Sequence, residues 1–504
     1  MSEPTANEEP ARPDEGAAPP VPPEKGAPGS NASEPSVDAP DGERQFAEDR
    51  TLSEVYVRSV ADAIAAGDGA QARALCDELH PADFADLIGL LDEEQRIGLI
   101  DLFGGDLDGE VLAELDPDLT ESVVKSMQPE RVAEAVTELD TDDAAFILEE
   151  LDEEKRAEIL AEVPVSDRIA LNAAFDYPED SAGRLMQREV FAAPAYWTVG
   201  QIIDRLRGSE DLPDRFFEVF VVDPTFKPIG EVPLSTLLRA QRDVVVSDLI
   251  PEGEQRLIPV LMDQEDVAYL FEQYNLISAP VVDESERLVG MVTVDDVVEI
   301  VHEETHEDML ALGGVVSDTG LSDTVFETVR SRFSWLAINL GTAIMASLVI
   351  ALFDAAIAQV VALAVLMPIV ASMGGNAGTQ TLTVAVRSLA TKDLTGSNAA
   401  RIIWREALVG GFNGVAFAVI MGALAGVWYA STSGDQTAAV KLGFVVGAAM
   451  IINLLCAGLA GILIPLGLQR AGADPAVSSA VFLTTVTDIV GFFVFLGLAA
   501  AFLL

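Results

Sequence analysis

Met367-Pro-Ile-Val-Ala-Ser-Met-Gly-Gly-Asn-Ala-Gly-Thr-Gln-Thr381 lies inside an apolar segment long enough to cross a bilayer. A run of about 20 apolar residues normally forms one unbroken helix there, because lipid satisfies no free backbone group. This one carries Pro368, Gly374, Gly375, Gly378 and the polar side chains of Asn376, Thr379 and Gln380. Such breaks are tolerated at membrane depth where they face other protein or a watery cavity. The stretch is therefore expected to interrupt its helix and to form the wall of a pore.

Around this stretch five apolar spans are expected, at about 334–353, 358–386, 406–429, 441–468 and 477–504. The loop between the second and third holds Arg387, Lys392, Arg401 and Arg405, whereas Asp354 and Asp435 lie in the opposite loops. By the positive-inside rule the region before the spans is cytosolic and the C-terminus lies outside. Gly410 with Gly414, Gly422 with Gly426 and Gly443 with Gly447 are spaced for close helix packing.

The last span contains a single ionisable residue, Asp488, with Thr484, Thr485 and Thr487 beside it. A lone carboxylate near mid-membrane costs on the order of 3 kcal/mol, so it is kept either as a protonated helix-packing group or as a cation site. Together with the Asn376 segment it offers hard oxygen ligands and no thiolate or imidazole. A wide, oxygen-only site with one carboxylate suits magnesium that keeps its waters.

Charge divides the chain. Residues 331–504 hold 7 basic and 6 acidic residues, and the 330 before them hold 23 basic and 76 acidic, a net charge of −53. That acidity argues against nucleic acid, which needs clustered Lys and Arg. It suits a cation-attracting surface, or adaptation of a whole proteome to high salt, toward which six lysines against 24 arginines also lean. Cys76 and Cys456 fall in the soluble and apolar halves and form no disulfide framework, as in a cytosolic head. The N-terminus shows no apolar signal-peptide core.

Residues 1–50, rich in Pro, Glu, Ala, Gly and Ser, are expected to be a disordered acidic tail. Residues 51–180 read as helical, with one plan recurring from Leu79 to Arg96, Leu115 to Arg131 and Leu139 to Arg156. An Asp-rich start is followed by apolar residues at helical spacing and an acidic turn closing with Arg, which predicts short hairpins stacked into a superhelix. Residues 184–248 and 249–305 look like two copies of one α/β unit. In the second, Arg256-Leu-Ile-Pro-Val, Ile277-Ser-Ala-Pro-Val-Val-Asp and Leu288-Val-Gly-Met-Val-Thr are strands, and Asp266–Tyr274 and the stretch from Val294 are helices. Val219-Phe-Val-Val-Asp and Pro228-Ile-Gly-Glu-Val match in the first. The arrangement resembles a tandem CBS-domain pair. That resemblance implies a ligand-sensing module in which Gly290, Thr293 and Asp296 match a ribose-contacting pattern for adenine nucleotides such as ATP. The first copy has Gly230, Pro233 and Thr236 there and lacks the Thr and the Asp. Residues 306–332, containing Gly313 and Gly314, read as a connecting helix into the membrane domain, 333–504.

Pro368 followed by Gly374-Gly-Asn-Ala-Gly-Thr-Gln380, Thr487-Asp-Ile-Val-Gly491 and Tyr177-Pro-Glu-Asp-Ser-Ala-Gly-Arg-Leu-Met186, in this order of domains, resemble the MgtE family of magnesium channels over roughly residues 51–504. The resemblance implies a multidomain membrane protein: an all-α superhelical N-domain, tandem α/β CBS domains, a connecting helix and five transmembrane helices. It implies a homodimer in the cell membrane with the pore on the dimer axis, where Asp488 holds a hydrated magnesium ion and Asn376 and the Gly375 backbone line the path. Thr379 stands where some members have a second Asn. It also implies that cytosolic magnesium bridges Asp142, Glu265, Asp296, Glu299, Glu304, Glu307, Asp308 and Asp474 and so closes the pore. Asn275 and Phe146 occupy places where some relatives are acidic.

One motif points elsewhere. His302-Glu303-Glu304-Thr305-His306 is a literal H-E-x-x-H, which on a helix puts two histidines on one face as zinc proteases need. The Gly and third His of one such class are absent downstream, and no cleft is evident on a connector. His80 reads as a loop residue before Pro81. The expected function is passive magnesium flux with no chemical step. A membrane zinc protease and a CBS-regulated transporter of another divalent cation are the alternatives.

Overall fold

The computed structural model describes residues 45–47, 50–103, 107–208, 212–213, 215–253, 255–315 and 325–504. The stretch expected to be disordered, 1–50, lies outside them apart from residues 45–47 and 50. Two compact units are distinguished, Met1–Val60 and Ala61–Leu504. The first holds an antiparallel bridge between Phe46 and Leu52 and the start of the helix Glu54–Ala66. All further elements belong to the second.

Short helices come in pairs where the repeat predicts them: Pro81–Leu90 with Glu93–Phe103, Pro117–Ser126 with Pro129–Thr137, and Thr141–Glu149 (α1) with Glu153–Glu162. Two of the recurring arginines have a physical role. Arg156 donates to the carbonyls of Leu148, Glu149 and Leu151 at 2.8–3.1 Å, and Arg96 to that of Leu91 at 3.1 Å. These are carbonyls that the end of the preceding helix leaves without helical partners. His80 caps the helix that starts at Pro81, its Nδ1 accepting from the Ala82 amide.

Two three-stranded sheets follow with one topology. Strands β1 (Ala192–Pro194), β2 (Glu218–Val222) and β3 (Pro228–Pro233) form the first, and β4 (Ile258–Pro259), β5 (Ser278–Val282) and β6 (Leu288–Thr293) the second. In each the first pair is parallel and the second antiparallel. Helix α2 (Gln264–Tyr274) packs on the second sheet through Val267, Ala268 and Phe271. The segment Tyr177–Met186 ties the helical region to this sheet. The Ala182 and Gly183 amides donate to the Met262 and Val260 carbonyls, and Met186 enters the core. A Cβ on Gly183 would come within 2.6 Å of the Tyr177 ring, so the close packing here requires glycine.

Helix α3 (Val294–Gly313) runs on without interruption from the second sheet into the stretch expected as a separate connector. Its last turn packs Ala311 and Leu312 against the membrane helices. Residues 316–324 of that connector lie outside the described residues, and 325–332 already belong to the first membrane helix.

Among the described residues five helices are long and apolar enough to cross a membrane. They lie in α4 (Val325–Ala351), α5 (Ala362–Ala390), α6 (Ala399–Ser433), α7 (Gln436–Arg470) and α8 (Pro475–Phe502). Helix α7 is the hub, with Leu442, Val445, Val446 and Met450 buried against Leu363, Leu366 and Val370 of α5 and Phe495 and Leu496 of α8. It meets α6 at backbone distance, since a Cβ on Gly443 would lie 2.5 Å from the Gly422 carbonyl oxygen.

The expected interruption at 367–381 is absent: α5 is one helix with Pro368 inside it. The glycines there serve contact. A Cβ on Gly378 would lie 2.8 Å from the Leu483 side chain, and one on Gly461 of α7 would lie 2.7 Å from the Gly378 carbonyl. In a dry environment the helical ladder is the best available partner for each backbone group, so glycine stays helical and its missing side chain becomes room for a neighbouring helix.

Candidate functional site

Helix α5 presents a polar stripe. Asn376, Thr379, Gln380 and Thr383 follow helical spacing and are all exposed, while Gly374, Gly378 and Leu382 face the protein. Thr379 and Thr383 return their hydroxyl protons to the carbonyls of Gly375 and Thr379, both at 3.0 Å, so their oxygen lone pairs point outward. Beside this stripe runs α8. A Cβ on Gly375 would meet Thr487 Oγ1 at 4.0 Å, which places the two helices against each other at the level of Asp488. Thr487 is fully buried and bonded to the Leu483 and Thr484 carbonyls, whereas Asp488 is half-buried. One copy of the chain thus leaves the side chains of Asn376, Thr379, Gln380 and Thr383 uncovered at membrane depth, where polar groups are costly unless protein or water covers them.

A first acidic cluster joins the helical region to the CBS pair. Thr141 at the start of α1 donates its amide and hydroxyl to Glu189, at 3.1 and 2.7 Å, and Gln187 donates to Asp140 at 3.1 Å. These bonds tie the start of α1 to the 187–189 segment that leads into β1. Asp142 Oδ1 is enclosed with no hydrogen-bond partner. Burial and the facing carboxylates of Asp296, Asp143 and Asp140 drive the Asp142 carboxyl well above the usual range. Burial, then Asp296, Asp140, Glu299 and Asp295, push Asp143 up to about 7. Asp296 is raised to about 6 by burial, although it accepts bonds from the Thr293 hydroxyl at 2.7 Å and amide at 3.1 Å. Glu299 is raised by burial and by Asp296.

A second cluster lies where α3 meets the membrane helices. Glu265 of α2 is pushed up to about 7 by desolvation, then Glu304, Asp263 and Asp308. Asp308 is raised by desolvation, Asp474 and Glu304, and Glu307 by desolvation, Glu304 and Asp474. Glu304 accepts from Gln264 at 2.6 Å, and Asp474 caps α8 through the Ala476 amide at 2.7 Å. Just past the end of α5, Lys392 pairs with Asp266 of α2 and sits 4.3 Å from the Tyr269 ring centroid. The eight expected acidic residues therefore fall into two groups, Asp142, Asp296 and Glu299 in one and Glu265, Glu304, Glu307, Asp308 and Asp474 in the other. Among the described residues no group of three or more His, Cys, Asp or Glu side chains is arranged to hold a metal ion by itself.

Residues 367–498 match a family model described as a divalent cation transporter, residues 79–180 the MgtE intracellular N domain and residues 256–303 the CBS domain. A magnesium transporter MgtE of Bacillus subtilis is 29% identical over 433 residues, covering 86% of this chain and 94% of its own length. One of Thermus thermophilus is 30% identical over 463 residues, covering 89% and 98%. The chain belongs to the MgtE family. A crystal structure of the cytosolic domain of the Mg2+ channel MgtE in complex with ATP is similar at 30% identity, over 48% of this chain and 99% of that one, with a TM-score of 0.45.

In this MgtE-family chain Asn275 has a backbone reason for its identity. It ends α2 at φ +52°, a left-handed position that Asn accepts readily. The pair expected to meet a ribose, Thr293 and Asp296, is joined in a capping box at the start of α3, with Thr293 7% exposed. His302 and His306 lie exposed on α3. Two membrane residues escape a reading of the sequence alone. Asn453 of α7 is fully buried and donates to the Val370 carbonyl at 2.8 Å. Glu406 of α6 is 9% exposed, accepting from Thr381 of α5 at 3.2 Å and pairing with Arg405 at 3.2 Å. An uncharged or paired polar group inside a long apolar run is the signal that could have found both.

Proposed function

We propose that this chain is a magnesium channel of the cell membrane, conducting the ion passively and closing when cytosolic magnesium is high. The observation that carries this reading is the uncovered polar stripe of α5 beside Asp488. Two copies facing each other across that stripe would cover it from lipid and enclose a water-filled path, which supports a homodimer with Asn376, Thr379, the Gly375 backbone and Asp488 along it. A hydrated magnesium ion held by few direct ligands matches a wide site of neutral oxygens with one carboxylate per copy. The basic loop after α5 supports an orientation with the soluble half in the cytosol and the C-terminus outside.

The Asp142 cluster fits a divalent cation, because the enclosed oxygen of Asp142 lacks a partner and the carboxyls around it are raised by burial and mutual repulsion, and the second cluster gathers carboxylates that repel one another in the same way. Magnesium bridging Asp142, Asp296 and Glu299, or Glu265, Glu304, Glu307, Asp308 and Asp474, would supply the positive charge that lets these carboxylates stay together. The compact arrangement is thus favoured at high magnesium and repelled apart at low magnesium. Since α3 carries members of both clusters and ends against α5 and α8, its position acts on the pore helices directly. An adenine nucleotide at Thr293 and Asp296 would have to open their capping box and is not required for this gating.

The test is magnesium uptake into proteoliposomes at low and high magnesium on the cytosolic face, with calcium, manganese and cobalt as competitors. Flux that high internal magnesium leaves unchanged would defeat the gating half of the reading. Lys392→Ala removes an exposed ion pair and a cation–π contact that hold the end of α5 to the CBS pair, together worth about 1 kcal/mol. The magnesium concentration giving half-closure should rise about threefold to fivefold, read from internal-magnesium titrations of the same flux. Glu303→Gln, which would end any H-E-x-x-H hydrolysis, is expected to leave uptake within about twofold of wild type. Peptide hydrolysis by the wild type that Glu303→Gln abolishes would bring the protease reading back.

A further inference from the structure

Helix α7 contributes no residue to the polar stripe, yet at its middle Asn453 touches both helices that do. Its side chain is fully buried, Nδ2 donates to the Val370 carbonyl of α5 at 2.8 Å, and Oδ1 is enclosed with no hydrogen-bond partner. The carboxamide lies between two glycines. A Cβ on Gly374 of α5 would overlap it, and one on Gly491 of α8 would lie 3.0 Å from Nδ2 and 3.4 Å from the Ala371 Cα. Gly374 precedes Asn376 by two residues and Gly491 follows Asp488 by three. A single amide therefore sets how closely α5 and α8 approach, within one turn of the residue each offers to the ion.

An apolar side chain would fill this space without fixing it. The hydrogen bond from Nδ2 is directional and ends on the α5 backbone, so it selects one rotation of α5 about its axis. Rotating α5 by one residue would carry Asn376 and Thr379 off the face that α8 shares.

We propose that Asn453 is a positioning residue for permeation, fixing the rotation and separation of α5 against α8 and so the spacing between Asn376 and Asp488. This rests on reading those two residues as the ion path. Its effect belongs in the affinity and selectivity of the path, whereas a residue that only stabilises the bundle would change the amount of folded protein.

The test uses the full chain in proteoliposomes, with flux measured against magnesium concentration and against calcium as competitor. Asn453→Ala should raise the half-saturating magnesium concentration about fivefold, the effect of losing one buried hydrogen bond, and should weaken discrimination against calcium. Met450→Ala empties an equally buried apolar position one turn away and should leave half-saturation within about twofold, changing only yield and thermal stability. Asn453→Asp places a carboxyl that can donate to Val370 when protonated and repels it when ionised. Its flux should match wild type at low pH and fall as pH rises, beyond any pH dependence of wild type. If Asn453→Ala does not fold, this pH profile decides. The proposal is overturned if Asn453→Ala and Met450→Ala shift half-saturation alike, or if Asn453→Asp follows the wild-type profile. Asp488→Ala is run alongside: retained flux there would remove the ion path itself, and its loss together with an unshifted Asn453→Ala would remove only the positioning role.

Discussion

Magnesium uptake is expected to fall at least about a hundredfold in Asp488→Ala, with the protein still inserted and folded. Unit charges 4 Å apart attract by about 4 kcal/mol at an effective dielectric of 20, and a divalent ion doubles this. Retaining a third of that attraction after counting the ion's own waters leaves about 2.7 kcal/mol, a factor of about 100 in occupancy. Asp488→Asn keeps an oxygen and loses the charge, so it should fall between wild type and alanine. Asn376→Ala, which removes a neutral oxygen on the exposed stripe, should cost about tenfold. The measurement is indicator-reported influx into proteoliposomes at magnesium well below saturation. An alanine variant that keeps more than a third of wild-type influx would make Asp488 a packing group of α8.

The five membrane spans are legible from hydropathy because apolar runs of that length have few other solutions. Their ends are not. The third reads as 406–429 and forms Ala399–Ser433, because the polar turns at the membrane surface continue the helix without adding to hydropathy. The same shortfall hides Glu406, which looks like an interfacial charge and lies buried against Thr381. At 367–381 the residue types point to a special surface, while the backbone inference drawn from them fails. Proline and glycine weaken helices in water, where solvent competes for the backbone, but in lipid the same glycines become the contact points of neighbouring helices. The α/β units are readable from alternating apolar strands and turn residues, and the pairing of β5 with β6 follows from their short connection. No local pattern says that Asp142 meets Asp296, or that Lys392 meets Asp266 across 126 positions. Those juxtapositions depend on how separately folded regions dock. Asn453 could have been found by the rule that singles out Asp488, applied to uncharged polar side chains as well.

Acidification should imitate magnesium on the cytosolic clusters. In the packed arrangement Asp143 is raised to about 7 and Asp296 to about 6, and Asp142 is raised well above its ordinary value, burial being the largest cause each time. When the domains separate these carboxyls return toward the ordinary value near 4. A carboxyl whose pKa is higher in the packed state binds its proton more tightly there. Packing is therefore fully supported by protonation below about pH 4, loses that support as pH rises through 6 and 7, and is most strained above about pH 7. A carboxyl raised to about 6 or 7 is therefore strained in the packed state at pH 8, and Asp142 adds strain in the same direction. In the gating proposed above, magnesium offsets this strain. In magnesium-free buffer, protease cleavage between the helical region and the CBS pair should be fast at pH 8 and slow at pH 5.5. At pH 8 added magnesium should restore protection. Asp142→Asn with Asp296→Asn removes two of the charges, so the double variant should be protected at pH 8 without magnesium, and its residual response to magnesium should shrink about tenfold. Cleavage at pH 8 that is unchanged in the double variant, or equal at pH 5.5 and pH 8 in wild type, would show that repulsion among these carboxylates does not set the cytosolic arrangement, and closure would then have to come from the Glu265 and Asp474 cluster alone.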